Sequence, residues 1–104
     1  MILSITPSKL KTKRLAAQVR YEDGTERTIN FGYKSGTRFG FTWIDGASDA
    51  VRDAYWTRHR GNSVERRLID NLILSPATLS AYILWGKYRN IQSNMEHLNR
   101  LLKN

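Results

Sequence analysis

With 104 residues, 40% of them apolar and including three Trp, five Tyr and three Phe, the chain can build one modest core, which excludes a disordered polymer. It has no cysteine, which excludes disulfides and thiolate metal sites, and its two histidines, His59 and His97, offer little basis for a zinc site. A formal net charge of +8, from 17 Lys+Arg against 9 Asp+Glu, points to anionic partners, either phosphate polymers or acidic protein surfaces.

No apolar run approaches the ~18 residues of a membrane span, and no signal-peptide pattern opens the chain. The expectation is a soluble protein made inside a cell, organised as a single domain over residues 1–104. Residues 1–38 hold eight basic and three acidic side chains, 39–61 three of each, and 62–104 six and three. The excess therefore sits toward the two ends of the sequence.

In chain order, Met1 to Lys9 is a short apolar start closed by Thr6-Pro7-Ser8. Lys9, Lys11, Lys13 and Arg14 form a basic run, so residues 1–14 are expected as a basic N-terminal arm. From Leu15 the side chains alternate. Leu15, Ala17, Val19 and Tyr21 take one face and Ala16, Gln18 and Arg20 the other, the period of a half-buried strand. Asp23-Gly24 supplies a turn, after which Arg27, Ile29 and Phe31 complete a hairpin. Gly32, Gly36 and Gly40 punctuate a loop, and Phe39, Phe41 and Trp43 predict a third strand from about Arg38 to Ile44. The β part is thus residues 15–44.

The helical part is residues 47–104. Ser48 is the expected N-cap of a first helix with Ala50, Val51, Ala54, Tyr55 and Arg58 facing inward and Gly61 stopping it. Asn62 caps a second, whose face is Leu68, Ile69, Leu72 and Ile73. Ser75-Pro76 opens a third that ends near Gly86. Asn90 caps a fourth, with Ile91, Met95, Leu98 and Leu102 at helical spacing. The expected fold class is α+β: an N-terminal antiparallel hairpin or three-stranded sheet followed by three to four helices.

Several residues are candidates for chemistry or contact. Phe31-Gly32-Tyr33-Lys34-Ser35-Gly36-Thr37-Arg38 has the glycines of a phosphate cradle, with Lys34 and Arg38 as charges. It leads into a predicted strand and not a helix, so a nucleotide site is not expected, and ordinary loop behaviour favours a sheet connection with two solvated cations. Arg58-His59-Arg60 sits at a helix C-terminus, where cations complement the macrodipole; one of them suffices for that, leaving two for phosphate or carboxylate contacts. His59 as a general base would need a nucleophile and an orienting acid, which no spacing demands. Trp56, Trp85 and Tyr88 are candidate stacking platforms; Trp85 reads as core, whereas of the neighbours Tyr55 and Trp56 one is expected exposed or at an interface, and Tyr88 with it. Lys9–Arg14 is the foremost candidate for sequence-independent polyanion contact. Lys87 and Arg89 join it.

The order of elements resembles a family of small basic proteins of nucleocytoplasmic large DNA viruses. A Phe-Gly turn (Phe31-Gly32), an aromatic-x-x-Arg-His element (Tyr55, Arg58-His59), Leu79-Ser80-x-x-Ile83-Leu84-Trp85-Gly86-Lys87 and a closing amphipathic helix recur in this order. The resemblance spans roughly residues 17–102 and extends to Gly36, Phe41-Thr42, Asp45, Arg52, Glu65 and Ile91. The chain departs from the pattern at Phe39-Gly40 and at Pro76-Ala77-Thr78. The resemblance implies a viral protein made in the cytoplasm or nucleus of a eukaryotic host and residing in the virion, without enzymatic activity.

Two readings follow. In the first, ahead on the sequence, the chain is a minor capsid or core protein that docks onto other virion proteins through basic and aromatic surfaces. In the second it is an accessory protein that packages or tethers the genome by binding double-stranded DNA. Under both, the binding residues are Lys9, Lys11, Lys13, Arg14, Lys34, Arg38, Trp56, Arg58, His59, Arg60, Lys87, Tyr88 and Arg89. No catalytic residue, metal ligand, cofactor or small-molecule substrate is assigned, because no carboxylate pair, His pair or Cys is arranged for one. Clustering of the basic segments on one face away from the aromatics favours the second reading; interleaving of the two over the whole surface favours the first.

Overall fold

The computed structural model describes residues 1–103. Four antiparallel strands run in sequence order across one sheet: β1 (Ile2–Pro7), β2 (Lys13–Arg20), β3 (Glu26–Ser35) and β4 (Arg38–Phe39). A 3-10 turn (Trp43–Asp45) leads to α1 (Asp49–Arg60), α2 (Ser63–Asp70), α3 (Pro76–Leu79) and α4 (Ile91–Lys103). The fold is α+β, a four-stranded antiparallel sheet followed by four helices.

The β2–β3 hairpin is built as its alternation requires. Leu15 pairs with Phe31 and Ala17 with Ile29, and all four are buried on one face. Across the Asp23-Gly24 turn the Tyr21 N–H donates to the Thr25 carbonyl at 2.9 Å, and Gly24 takes a positive φ of 88° that side chains disfavour. Residues 1–14, expected as a basic arm, instead form β1, the turn after it and the first two residues of β2. Ile2 is buried, and the β1 backbone is tied to α4: Asn99 accepts from the Ile2 N–H at 2.7 Å and donates to its carbonyl at 2.9 Å.

The predicted strand over 38–44 stops after two residues. Thr42 and Asp45 close the 3-10 turn, Asp45 Oδ2 accepting from the Thr42 N–H at 2.9 Å and from its hydroxyl at 2.8 Å. These bonds hold the backbone away from a ladder, and Phe39 and Phe41 stay exposed.

The helices cover the apolar face of the sheet. Leu79, Ala81, Ile83, Leu84, Ile69 and Leu98 complete the core. Ser48, Asn62 and Ser75 cap α1, α2 and α3 as expected, and Pro76 occupies the first turn of α3. The expected helix to Gly86 changes its hydrogen-bond pattern at Ser80. Residues 80–84 form one π turn, in which the Trp85 N–H reaches back to the Ser80 carbonyl at 3.2 Å. Gly86 then passes so close to α4 that a Cβ would collide with the Tyr82 carbonyl and the Asn94 side chain. Asn94, fully buried, bonds this exit: its amide donates to the Ile83 and Tyr88 carbonyls at 2.9 and 2.7 Å, and its oxygen accepts from the Tyr88 N–H at 2.8 Å.

The inward stripe of α1 also differs. Ala50, Val51, Ala54 and Arg58 face solvent, while Arg52, Tyr55, Trp56 and His59 turn inward. The wide π turn leaves carbonyls at its exit without helical partners, and α1 supplies them. Arg52 Nε donates to the Trp85 and Gly86 carbonyls at 3.2 and 3.0 Å, and Trp56 Nε1 to the Trp85 carbonyl at 2.9 Å. Among the described residues, no helix is long and apolar enough to cross a membrane.

Candidate functional site

Antiparallel pairing brings two turns to the same end of the sheet, the one between β1 and β2 and the one between β3 and β4. Lys13 lies opposite Tyr33, the Lys34 N–H donates to the Thr12 carbonyl at 3.2 Å, and Arg38 lies opposite Ser35. Lys9, Lys11, Lys13, Lys34 and Arg38 are thereby collected at one end. No Asp or Glu occurs in residues 1–21 or 27–44. Among the described residues, none of the five cations makes an ion pair. The first turn is shaped by Ser8, whose hydroxyl accepts from the Leu10 N–H at 3.0 Å and donates to Asn30 Oδ1 at 2.6 Å.

Arg14, a candidate binding residue, is withdrawn from this group. Its guanidinium grips Asp45 in a two-pronged ion pair at 2.7 and 2.8 Å and lies 3.8 Å from the centre of the Phe39 ring. Burial alone would raise the Asp45 carboxyl; the hydrogen bonds from Arg14 and Thr42 outweigh it and hold the group below the ordinary carboxylate range.

Beside the basic end a cleft of about 290 Å³ opens between the β3–β4 region and α1. Its floor includes Leu84 and Trp85, with Trp85 stacked on Tyr55 at 4.6 Å between ring centres and 9° between planes. Burial first, and the Glu65 charge second, push the Tyr55 hydroxyl upward, so it stays protonated. The rim carries Tyr33 and Phe41, 70% and 66% exposed, and Arg58. Neither Tyr33 nor Phe41 has an aromatic ring or a cation stacked on it among the described residues.

The remaining candidates divide between internal and surface duty. His59 Nδ1 meets Glu65 at 2.5 Å, and Arg60 pairs with Asp70 at 3.0 Å, bridging α1 to α2. Arg58 alone of that triplet faces solvent without an ion pair among the described residues. Trp56 is half-buried, its edge against Tyr82. Arg89 lies 3.5 Å from the centre of the Trp43 ring and donates to the Trp43 carbonyl at 2.9 Å. Lys87 and Tyr88 are exposed near the α4 start, with the ammonium 5.5 Å from the ring centre. The candidates thus do not form one site: five meet at the sheet end, Arg58 borders the cleft, and Arg14, His59, Arg60 and Arg89 are engaged by other groups of the chain.

Sequence reasoning missed Tyr33 and Phe41 as surface groups, because Phe39, Phe41 and Trp43 alternate like a strand. The contrary signal is Thr42-x-x-Asp45, a capping pattern that ends a strand and starts a helical turn. Among the described residues, no three His, Asp or Glu side chains gather as metal ligands.

Comparison with known proteins finds a relative among viral proteins. Over 84 residues, 80% of this chain and 80% of the relative, the chain is 36% identical to the uncharacterized protein L851 of Acanthamoeba polyphaga mimivirus. It belongs to the family of that viral protein. The kinship is with a large DNA virus, the origin implied by the sequence pattern. No family model and no solved structure matches the chain.

Proposed function

We propose that this member of the viral family is a non-enzymatic nucleic-acid-binding protein that contacts the phosphate backbone through the basic end of its sheet. The observation that carries the reading is the division among its cations. Arg14, Arg20 and Arg60 are each paired with a carboxylate of the chain, whereas Lys9, Lys11, Lys13, Lys34 and Arg38 lie at one end of the sheet, on segments without Asp or Glu, and make no ion pair among the described residues. Each cation placed on a phosphate releases a condensed counterion, which drives binding without reading sequence. Such a protein suits packaging or tethering of a viral genome in the virion.

The docking role of a minor capsid or core protein keeps one observation in its favour, the exposed apolar side chains Phe39, Phe41, Val64 and Ile73. Affinity for random-sequence duplex DNA at about 50 and 200 mM salt separates the two. Five phosphate contacts predict a fall of roughly 500-fold between these salts. Weak binding at both salts, to duplex and single strand alike, would leave docking onto virion proteins.

A further inference from the structure

The cleft rim and the basic end lie side by side, and their chemistry is complementary to a nucleotide in two parts. We infer that the cleft takes an unpaired base, stacked on Phe41 and Tyr33, while the phosphates on either side lie on Arg58 and the sheet-end cations. The protein therefore prefers single-stranded nucleic acid. This rests on the nucleic-acid reading above and adds the substrate class.

Three observations converge. Tyr33 and Phe41 leave their ring faces open, whereas Phe39, Trp43, Trp56, Tyr55, Trp85 and Tyr88 already have an aromatic or cationic partner. Solvated aromatic faces beside a basic track are what sequence-tolerant single-strand binding uses, because every base has a stacking face. The cleft, about 290 Å³ and floored by Leu84 and Trp85, is at the small end of ligand sites, fitting a base more readily than a whole cofactor. Two glycines shape its walls. Gly32, at φ 84°, lets β3 pass so close to Leu84 and Arg14 that a Cβ would stand 3.0 and 3.1 Å from their side-chain atoms. At Gly46, with φ 115°, a Cβ would lie 3.4 Å from the tip of the Phe41 ring. A base inside a duplex has both faces covered and cannot enter.

The test compares an oligothymidylate single strand with a duplex of the same length, for the wild type, Phe41→Ala and Tyr33→Ala. Both side chains are exposed, so the variants keep the fold, which circular dichroism checks. The single strand binds the wild type more tightly. Each alanine weakens single-strand binding by roughly five- to 150-fold and leaves duplex affinity and salt slope unchanged. Equal affinity for both nucleic acids, unaffected by either alanine but lost on Lys11→Gln and Lys34→Gln, overturns the base pocket while the phosphate reading stands. Absence of binding to either nucleic acid overturns both, and points to an acidic protein surface as the partner.

Discussion

Arg14 on β2 and Asp45 in the 3-10 turn are joined by two hydrogen bonds of 2.7 and 2.8 Å, locking the sheet to the segment that leads into α1. The pair also sets the Phe39–Thr42 connection, since Arg14 covers Phe39 and Asp45 binds Thr42. A cation that the basic run offers for binding is thus spent on the architecture around the cleft.

Replacing Asp45 with Asn removes the charge from this pair, and unfolding free energy falls by about 1.5–3 kcal/mol in urea titrations near neutral pH. The pH dependence has a definite sign. The folded-state carboxyl lies below its unfolded value of about 3.9, so its stabilisation is complete above that value and is lost as pH falls through the folded pKa. Wild type and Asp45→Asn therefore converge in stability on acidification into that window. A constant gap between them at every pH would refute the linkage.

Buried and exposed aromatics respond oppositely. Trp85→Ala removes the partner stacked on Tyr55 and opens a cavity, costing about 3–5 kcal/mol. Phe41→Ala changes stability by no more than about 0.5 kcal/mol. Thermal and urea unfolding of the two variants provide the comparison.

Gly86→Ala forces a Cβ against the Tyr82 carbonyl and the Asn94 amide. The expected loss is about 1–3 kcal/mol or more, as for other overpacked sites. The amides around 83–88 should then exchange hydrogen faster, because Asn94 bonds the Ile83 and Tyr88 backbone. Unchanged protection there would mean that Asn94 does not hold the exit.

Arg58 and Arg60 are two residues apart and behave differently. Arg58→Gln weakens nucleic-acid binding, because the guanidinium borders the cleft free of any ion pair among the described residues. Arg60→Gln leaves binding unchanged, because that side chain is held by Asp70. Equal losses in a binding titration would contradict this division.

Much of the fold is legible in the sequence where the signal is local. The β2–β3 hairpin follows from the alternation of Leu15, Ala17 and Val19 and the Asp23-Gly24 turn, and the caps Ser48, Asn62 and Ser75 announce their helices. β1 is harder to read, since Ile2, Leu3 and Ile5 are few and its anchor, Asn99, lies 97 residues away. The facing of α1 is hidden for a similar reason: Arg52 and Trp56 turn inward to serve carbonyls released by a π turn far along the chain. At the site, composition reveals the cations but not their pairing. Only the third dimension separates Lys11 and Arg38, without ion pairs among the described residues, from Arg14 and Arg60, which are paired.

The most direct test of phosphate binding at the sheet end is the slope of log affinity against log salt on random-sequence duplex DNA. It is measured for the wild type and for the triple variant Lys11→Gln/Lys34→Gln/Arg38→Gln. Five engaged cations predict a wild-type slope of about −4.5, shallower by about 2.7 in the variant. An identical slope in both proteins, or a wild type that does not bind, would contradict the account.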